Sequence, residues 1–282
     1  MRTIPIFELR DSRGNGMRNA IKIRLLGPIA VETPMGWRRG LSAQLRKVLA
    51  LLAVTREVPL SADQLVKRMW SEEPPESAGQ MIRNHIRTLR GVLGGRAIEN
   101  AQGGYRLVAD DIQIDTEQFE ALLQVARGFR VAGRPQDSVR TLETALGLWH
   151  GHEALPGVRD VLDLQVAAVG LEELRFQAEE LLVDTYLTLG RPEEALPIVR
   201  GLTLLHPTRE LPWAQLMAAQ TLIGRRVEAS GETYRQAHRH LIEETGLDAP
   251  LLEQVHRGVL SGVSARELIA LFSGSRAKSS LP

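Results

Sequence analysis

Between Ser77 and Gly94, three arginines recur at i, i+4 and i+7: Arg83, Arg87 and Arg90. Gln80 and Asn84 border the same side. On a helix advancing about 100° per residue these groups form one column. A second column, Ile82, Ile86, Leu89 and Leu93, lies about a quarter-turn away and must face a core. Guanidinium groups stacked in a column repel one another, and a merely solvated face has no need of them. A DNA major groove does. The planar fork of arginine matches guanine O6 and N7, and Asn or Gln can pair with adenine N6 and N7. Arg38, Arg39, Arg46 and Lys47 are candidates for phosphate contacts. Arg106, and with it Arg96, is placed to touch backbone or minor groove. A lone Arg-x-x-x-Arg pair is more often a solvated basic face. This column stands apart because of the elements around it.

Those elements read as strands, three helices and a hairpin. Ile21, Ile23 and Leu25 alternate with Lys22 and Arg24 at strand period, and Ile29-Ala30-Val31 resumes after Gly27-Pro28. A helix begins near Ser42, with Leu41, Leu45, Val48, Leu49 and Leu52 on one face. A second starts at Ser61, where Ser61-x-x-Gln64 has the form of a capping box. A third starts at Ser77, with Ser77-x-x-Gln80 in the same form, and stops at Gly94-Gly95. Ile98–Asn100 and Tyr105–Val108 then read as strands joined by Ala101-Gln102-Gly103-Gly104. This order is that of a winged helix-turn-helix. Charge agrees with it. Residues 1–110 hold 18 Lys+Arg against 10 Asp+Glu, a balance of +8, and residues 111–282 hold 17 against 24, a balance of −7. A basic half meets a polyanion more readily than an acidic one.

Beyond Asp115 the pattern is helical almost to Phe272. Leu189-Gly190-Arg191-Pro192-Glu193-Glu194-Ala195 recurs as Ile223-Gly224-Arg225-Arg226-Val227-Glu228-Ala229, with the two glycines 34 residues apart. That is the tetratricopeptide period. A looser copy is Ala132-Gly133-Arg134-Pro135-Gln136-Asp137-Ser138, in which Ser138 stands where the repeat prefers alanine. The expected fold is therefore mainly α. Residues 1–20 are a flexible extension, with Met17 as an alternative start. Residues 21–110 are an α+β winged-helix DNA-binding domain, residues 111–272 an all-α tetratricopeptide-like domain, and residues 273–282 a disordered Ser-rich tail.

Other chemistry has little support. The chain has no cysteine, which removes disulfides, thiolate zinc sites and cysteine nucleophiles. On a helix His238 and His240 point about 200° apart, and His150-x-His152 lies at a helix end with Gly151 between and no third ligand evident, so no metal or other cofactor is expected. No nucleophile elbow accompanies the Ser, His and Asp residues, and no enzyme is expected. Trp70, Trp149 and Trp213 fit a core. Glu172-Glu173, Glu179-Glu180 and Glu193-Glu194 fit a solvated helix face, or else an acidic surface that meets basic polymerase segments. No apolar run reaches membrane-span length, and the first twenty residues lack an apolar signal region, so a cytoplasmic, nucleoid-associated location is expected.

Several segments together resemble the Streptomyces antibiotic regulatory protein (SARP) family. They are Ile23-Arg24-Leu25-Leu26-Gly27-Pro28, Ala62-Asp63-Gln64-Leu65-Val66 with Met69-Trp70, Pro74-Pro75, Ile86-Arg87-Thr88-Leu89-Arg90 and Gly104-Tyr105-Arg106-Leu107. Further along are Ala145–Gly151, Leu171–Arg175 and Glu243–Asp248. The resemblance runs over roughly residues 21–260. It implies a winged helix joined to a bacterial transcriptional activation domain. It further implies a transcriptional activator of a secondary-metabolite (antibiotic) cluster that binds direct repeats in double-stranded DNA and recruits RNA polymerase holoenzyme, including its sigma factor. Two protomers side by side, about 10–11 base pairs apart, would share one DNA face. The G-x-x-x-x-G-K-[ST] motif of an ATPase module does not occur in the sequence, and no receiver domain is expected ahead of the winged helix. Two alternatives stay open: a repressor with the same DNA domain, and a helical-repeat protein–protein adaptor whose basic half is merely soluble.

Overall fold

The computed structural model describes residues 21–33, 36–38, 40–56, 58–70, 73–108 and 112–273. The expected extension with Met17, residues 274–282 of the expected tail, and Arg39 lie outside these residues. Ser273, expected to open the tail, is the last residue of the final helix.

The N-terminal part runs β1 (Ile21–Arg24), β2 (Ala30–Thr33), β3 (Gly36–Arg38), α1 (Ala43–Val54), α2 (Ala62–Met69), α3 (Ala78–Leu93), β4 (Ile98–Ala101), β5 (Gly104–Leu107) and β6 (Ile112–Ile114). β1 to β3 and β6 form one sheet in the order β3-β2-β1-β6, with β1 antiparallel to β2 and parallel to β6. β4 and β5 form the separate antiparallel wing. Ser42 caps α1 by accepting from the Leu45 N–H, and the expected capping box at Ser61 and Gln64 is present on α2. The capping box expected at Ser77 and Gln80 does not form. Ser77 has φ −84° and ψ 4° rather than the extended geometry of an N-cap, and it makes no side-chain cap bond. Gln80 instead bonds along the exposed face of its own helix.

β3 and β6 were not among the expected strands. Each is three residues long, too short for a period to show. β6 draws its partner from some ninety residues earlier, pairing Ile114 with Ile23. The last strand of the N-terminal sheet thus lies within the segment that sequence pattern assigned to the helical part.

The remaining chain forms α4 (Asp115–Val131), α5 (Pro135–Leu146), α6 (Leu162–Thr188), α7 (Pro192–Leu205), α8 (Glu210–Leu222), α9 (Arg226–Glu228), α10 (Tyr234–His238), α11 (Pro250–Ser261) and α12 (Ala265–Ser273). π-Helical turns at Ala229–Thr233 and Arg239–Glu243 make α9 and α10 one continuous rod. Consecutive helices pair as hairpins. The three glycines of the repeat motif, Gly133, Gly190 and Gly224, have φ between 68° and 81°. That left-handed geometry closes a tight turn without a Cβ penalty. Ser138 is buried in its alanine-like place and donates to the Ala126 carbonyl at 2.9 Å. Its hydroxyl is thereby satisfied inside the helix pair. One stretch departs from the expected helical run: residues 147–161 are irregular, with Leu155 at φ 50°.

That stretch joins the two parts. The Leu26 carbonyl accepts from the His150 N–H at 2.7 Å, and the Leu25 carbonyl accepts from the Leu155 N–H at 2.8 Å. From α4, the buried Asp115 carboxylate accepts from the Leu25 N–H at 2.8 Å and from the Leu26 N–H at 3.0 Å. Phe119 meets Trp149 edge-on at 5.6 Å beneath this seam. The buried apolar residues of both parts form one continuous core.

Candidate nucleic-acid interface

α3 is amphipathic in the sense the sequence requires. Ile82, Ile86, Leu89 and Leu93 are at most 2% exposed and pack on α1 and α2. The opposite face presents Gln80, Arg83, Asn84, Arg87 and Thr88 to solvent. These polar groups are organised rather than loose. The Arg83 Nε donates to Gln80 Oε1 at 3.1 Å, and the Gln80 Nε2 donates to Asn84 Oδ1 at 3.2 Å. Neither Arg83 nor Arg87 forms an ion pair among the described residues. Each guanidinium therefore keeps donors for an external acceptor. His85, at the edge of this face, has its pKa lowered because burial disfavours the charged ring.

Arg90 is the third member of the column but does not share this exposure. Half-buried, it turns toward the wing, where its Nε donates to the Ile98 carbonyl and its Nη2 to Asn100 Oδ1, both at 2.9 Å. The wing itself turns through Gln102 and Gly103, at φ 48° and 79°, the pairing of left-handed residues that suits a two-residue hairpin. Arg106 on β5 pairs with Glu99 on β4 and keeps part of its side chain in solvent.

The residues expected on phosphate fall into two groups. Arg38 on β3 is exposed, as is Arg96 in the turn between α3 and β4. Arg46 and Lys47 lie at the junction with the helical part. Arg46 rests against Gly157, and Lys47 pairs with Asp160, leaving 12% of the lysine side chain exposed. Two further cations are held in the same way, Arg56 by Glu117 and Arg68 by Asp163 at 3.4 Å. Sequence reading named neither. Their partners lie some sixty to a hundred residues away, and no local pattern links them.

Most of the acidic pairs are also occupied within the chain. Glu172 bonds Arg159, Glu173 bonds Arg209, Glu179 bonds Arg175, Glu194 bonds Arg191, and Glu180 is buried. His238 and His240 each meet a glutamate, Glu243 and Glu244, at 3.2 and 3.0 Å. Among the described residues no group of three or more His, Asp or Glu side chains is arranged to hold a metal ion, and no helix is long and apolar enough to cross a membrane.

Two family models match, in the order the fold requires. The model described as "Transcriptional regulatory protein, C terminal" matches residues 38–107, which hold α1 to α3 and the wing. The "Bacterial transcriptional activator domain" matches residues 114–260, from α4 almost to the end of α11. This chain belongs to the SARP family of transcriptional regulators.

This SARP is 32% identical over 246 residues to the transcriptional regulatory protein EmbR of Mycobacterium tuberculosis, covering 84% of this chain and 62% of EmbR. It is 32% identical over 249 residues to the regulatory protein AfsR of Streptomyces coelicolor, covering 86% of this chain and 24% of AfsR. With the transcriptional regulator RedD of the same organism it shares 28% over 250 residues, 86% of this chain and 71% of RedD. The solved structure of M. tuberculosis EmbR in complex with a low-affinity phosphopeptide superimposes with a TM-score of 0.82 at 28% identity, covering 92% of this chain and 70% of that one. The SARP thus spans about three-fifths of EmbR and a quarter of AfsR.

Proposed function

We propose that this SARP is a sequence-specific DNA-binding transcriptional activator, working by binding rather than catalysis. In this reading α3 enters the major groove. Arg83 and Arg87, steadied by Gln80 and Asn84, contact base edges. Arg38 and Arg96 contact phosphate, and the wing with Arg106 follows the adjoining backbone. One observation carries the reading: among the described residues Arg83 and Arg87 stand exposed and without acidic partners, while Lys47, Arg56 and Arg68 of the same basic domain are paired with carboxylates. Burying the apolar face of α3 leaves these two arginines on its solvent side.

The helical domain supplies the surface that recruits RNA polymerase holoenzyme with its sigma factor. The match to a bacterial transcriptional activator domain supports that role. Membership of the SARP family supports direct repeats as the operator, two protomers side by side one helical turn apart, a secondary-metabolite cluster as the target, and a cytoplasmic location on the nucleoid. The test is footprinting across the protein's own genomic neighbourhood with polymerase present and absent. The expected result is protection of repeats about 10–11 base pairs apart, extended toward the promoter when polymerase is added. Protection that shuts polymerase out would make the protein a repressor, and no salt-dependent protection anywhere would end the reading.

A further inference from the structure

We infer that Arg90 is a positioning residue that locks the wing to the recognition helix, and that Asn100 is the side chain through which it does so. The inference rests on the DNA-binding reading above and assigns Arg90 a role different from that of Arg83 and Arg87. Arg83 and Arg87 lie one turn apart and point to solvent. Arg90 lies on the final turn of α3, where β4 passes alongside. Its fork is filled from one side by the Ile98 carbonyl and from the tip by Asn100 Oδ1. Both acceptors belong to the wing, and neither carries a charge. The guanidinium therefore keeps its full positive charge near the groove while its planar donors fix the angle between helix and hairpin.

The opposite strand of the wing is fixed independently. Tyr105 and Leu60 exchange two backbone hydrogen bonds, at 2.8 and 3.0 Å, which tie β5 to the segment just before α2. Gly104 makes that approach possible, since a Cβ there would lie 2.7 Å from the Leu60 carbonyl carbon. β5 is thus held to the segment before α2 by backbone, and β4 is tied to α3 by the Arg90 side chain as well as by the burial of Ile98. A two-stranded ribbon is marginal by itself in water. With both strands tied, its tip is carried rigidly at a set distance from the face bearing Arg83 and Arg87. The Arg90–Asn100 bond therefore sets which phosphates the wing reaches when α3 is seated.

The test uses the full chain and a duplex selected from a random-sequence pool by the wild-type protein. Guanine N7 methylation protection reports major-groove contacts, and hydroxyl-radical protection reports the backbone beside the wing. Arg90→Lys keeps the charge but loses the fork. Asn100→Ala removes an exposed partner with little risk to folding. Both variants are expected to lose the wing's backbone protection, to keep every guanine protection seen with wild type, and to bind about three- to tenfold more weakly, the worth of one solvent-exposed hydrogen bond. Three outcomes would overturn the inference. One is Arg90→Lys behaving as wild type in both footprints, which would make Arg90 a simple phosphate contact. Another is Arg90→Lys exposing a single guanine with the wing protection intact, which would make it a base reader. The third is Asn100→Ala leaving the wing protection unchanged. Selection of no duplex at all would remove the DNA-binding reading itself, a result distinct from all three.

Discussion

Two sets of cations in one small domain meet opposite fates. On α1, just beyond it and on α2, Lys47, Arg56 and Arg68 point at the helical domain and end on Asp160, Glu117 and Asp163. On α3, Arg83 and Arg87 are exposed, and among the described residues no carboxylate pairs with them. Residues 21–110 hold 14 Lys+Arg against 8 Asp+Glu, an excess of +6, and their described cations do not share one fate. The domain junction neutralises part of that excess and leaves the remainder directional. The lesson is that net charge in a segment identifies a polyanion-binding class, while the partner domain decides which cations are available.

The comparison breaks most sharply at α3. The Arg83→Ala/Arg87→Ala double variant should lose about 2–6 kcal/mol of operator affinity, at about 1–3 kcal/mol for each base-reading arginine. Both side chains are exposed, so thermal stability should stay within about 0.5 kcal/mol of wild type. Wild-type-like binding in a titration at fixed salt would show that another surface meets DNA.

At the junction the largest effect belongs to Asp115. Asp115→Ala leaves the buried Leu25 and Leu26 N–H groups without an acceptor and should cost about 2–4 kcal/mol of stability in urea. Burial outweighs the backbone donors and raises the Asp115 carboxyl from 3.8 to about 6. Through that window the folded chain keeps a proton that the unfolded chain has released. Stability should therefore fall as pH rises from about 4 to about 6, by at most about 3 kcal/mol, and level off above. A pH–stability slope of the same size in Asp115→Ala would assign it to other groups.

The smallest effect sharpens the contrast between the two sets. Lys47→Ala removes an ion pair at the edge of the junction and should cost less than about 1 kcal/mol of stability. It should leave the salt dependence of DNA binding unchanged, whereas losing a phosphate contact lowers that slope by about one. A reduced slope in Lys47→Ala would mean that the lysine leaves Asp160 for DNA.

The sequence made much of this architecture legible because its strongest signals are local and periodic. The apolar column Ile82, Ile86, Leu89 and Leu93 located α3 and its buried side. The 34-residue return of Gly190 at Gly224 located the helix pairs. Two of the three arginines in the column stand where their spacing put them. The third does not, because a helical wheel knows nothing of β4, and Arg90 is turned by acceptors on a strand beyond its own helix. The expected capping box at Ser77 failed for a related reason: Gln80 found partners in Asn84 and Arg83 that a four-residue motif does not include.

What the sequence alone determined is the three helices and wing of the N-terminal part, the helix pairs that follow, and the spacing of the arginines along α3. Hydrophobic period and turn chemistry act over a few residues and need no knowledge of the fold. What only the tertiary structure decided is which charges survive. β6 against β1, Asp115 under Leu25 and Leu26, and Asp160 on Lys47 join residues some ninety or more positions apart. A carboxylate cancels a cation only where the chain's packing brings the two within a few ångströms.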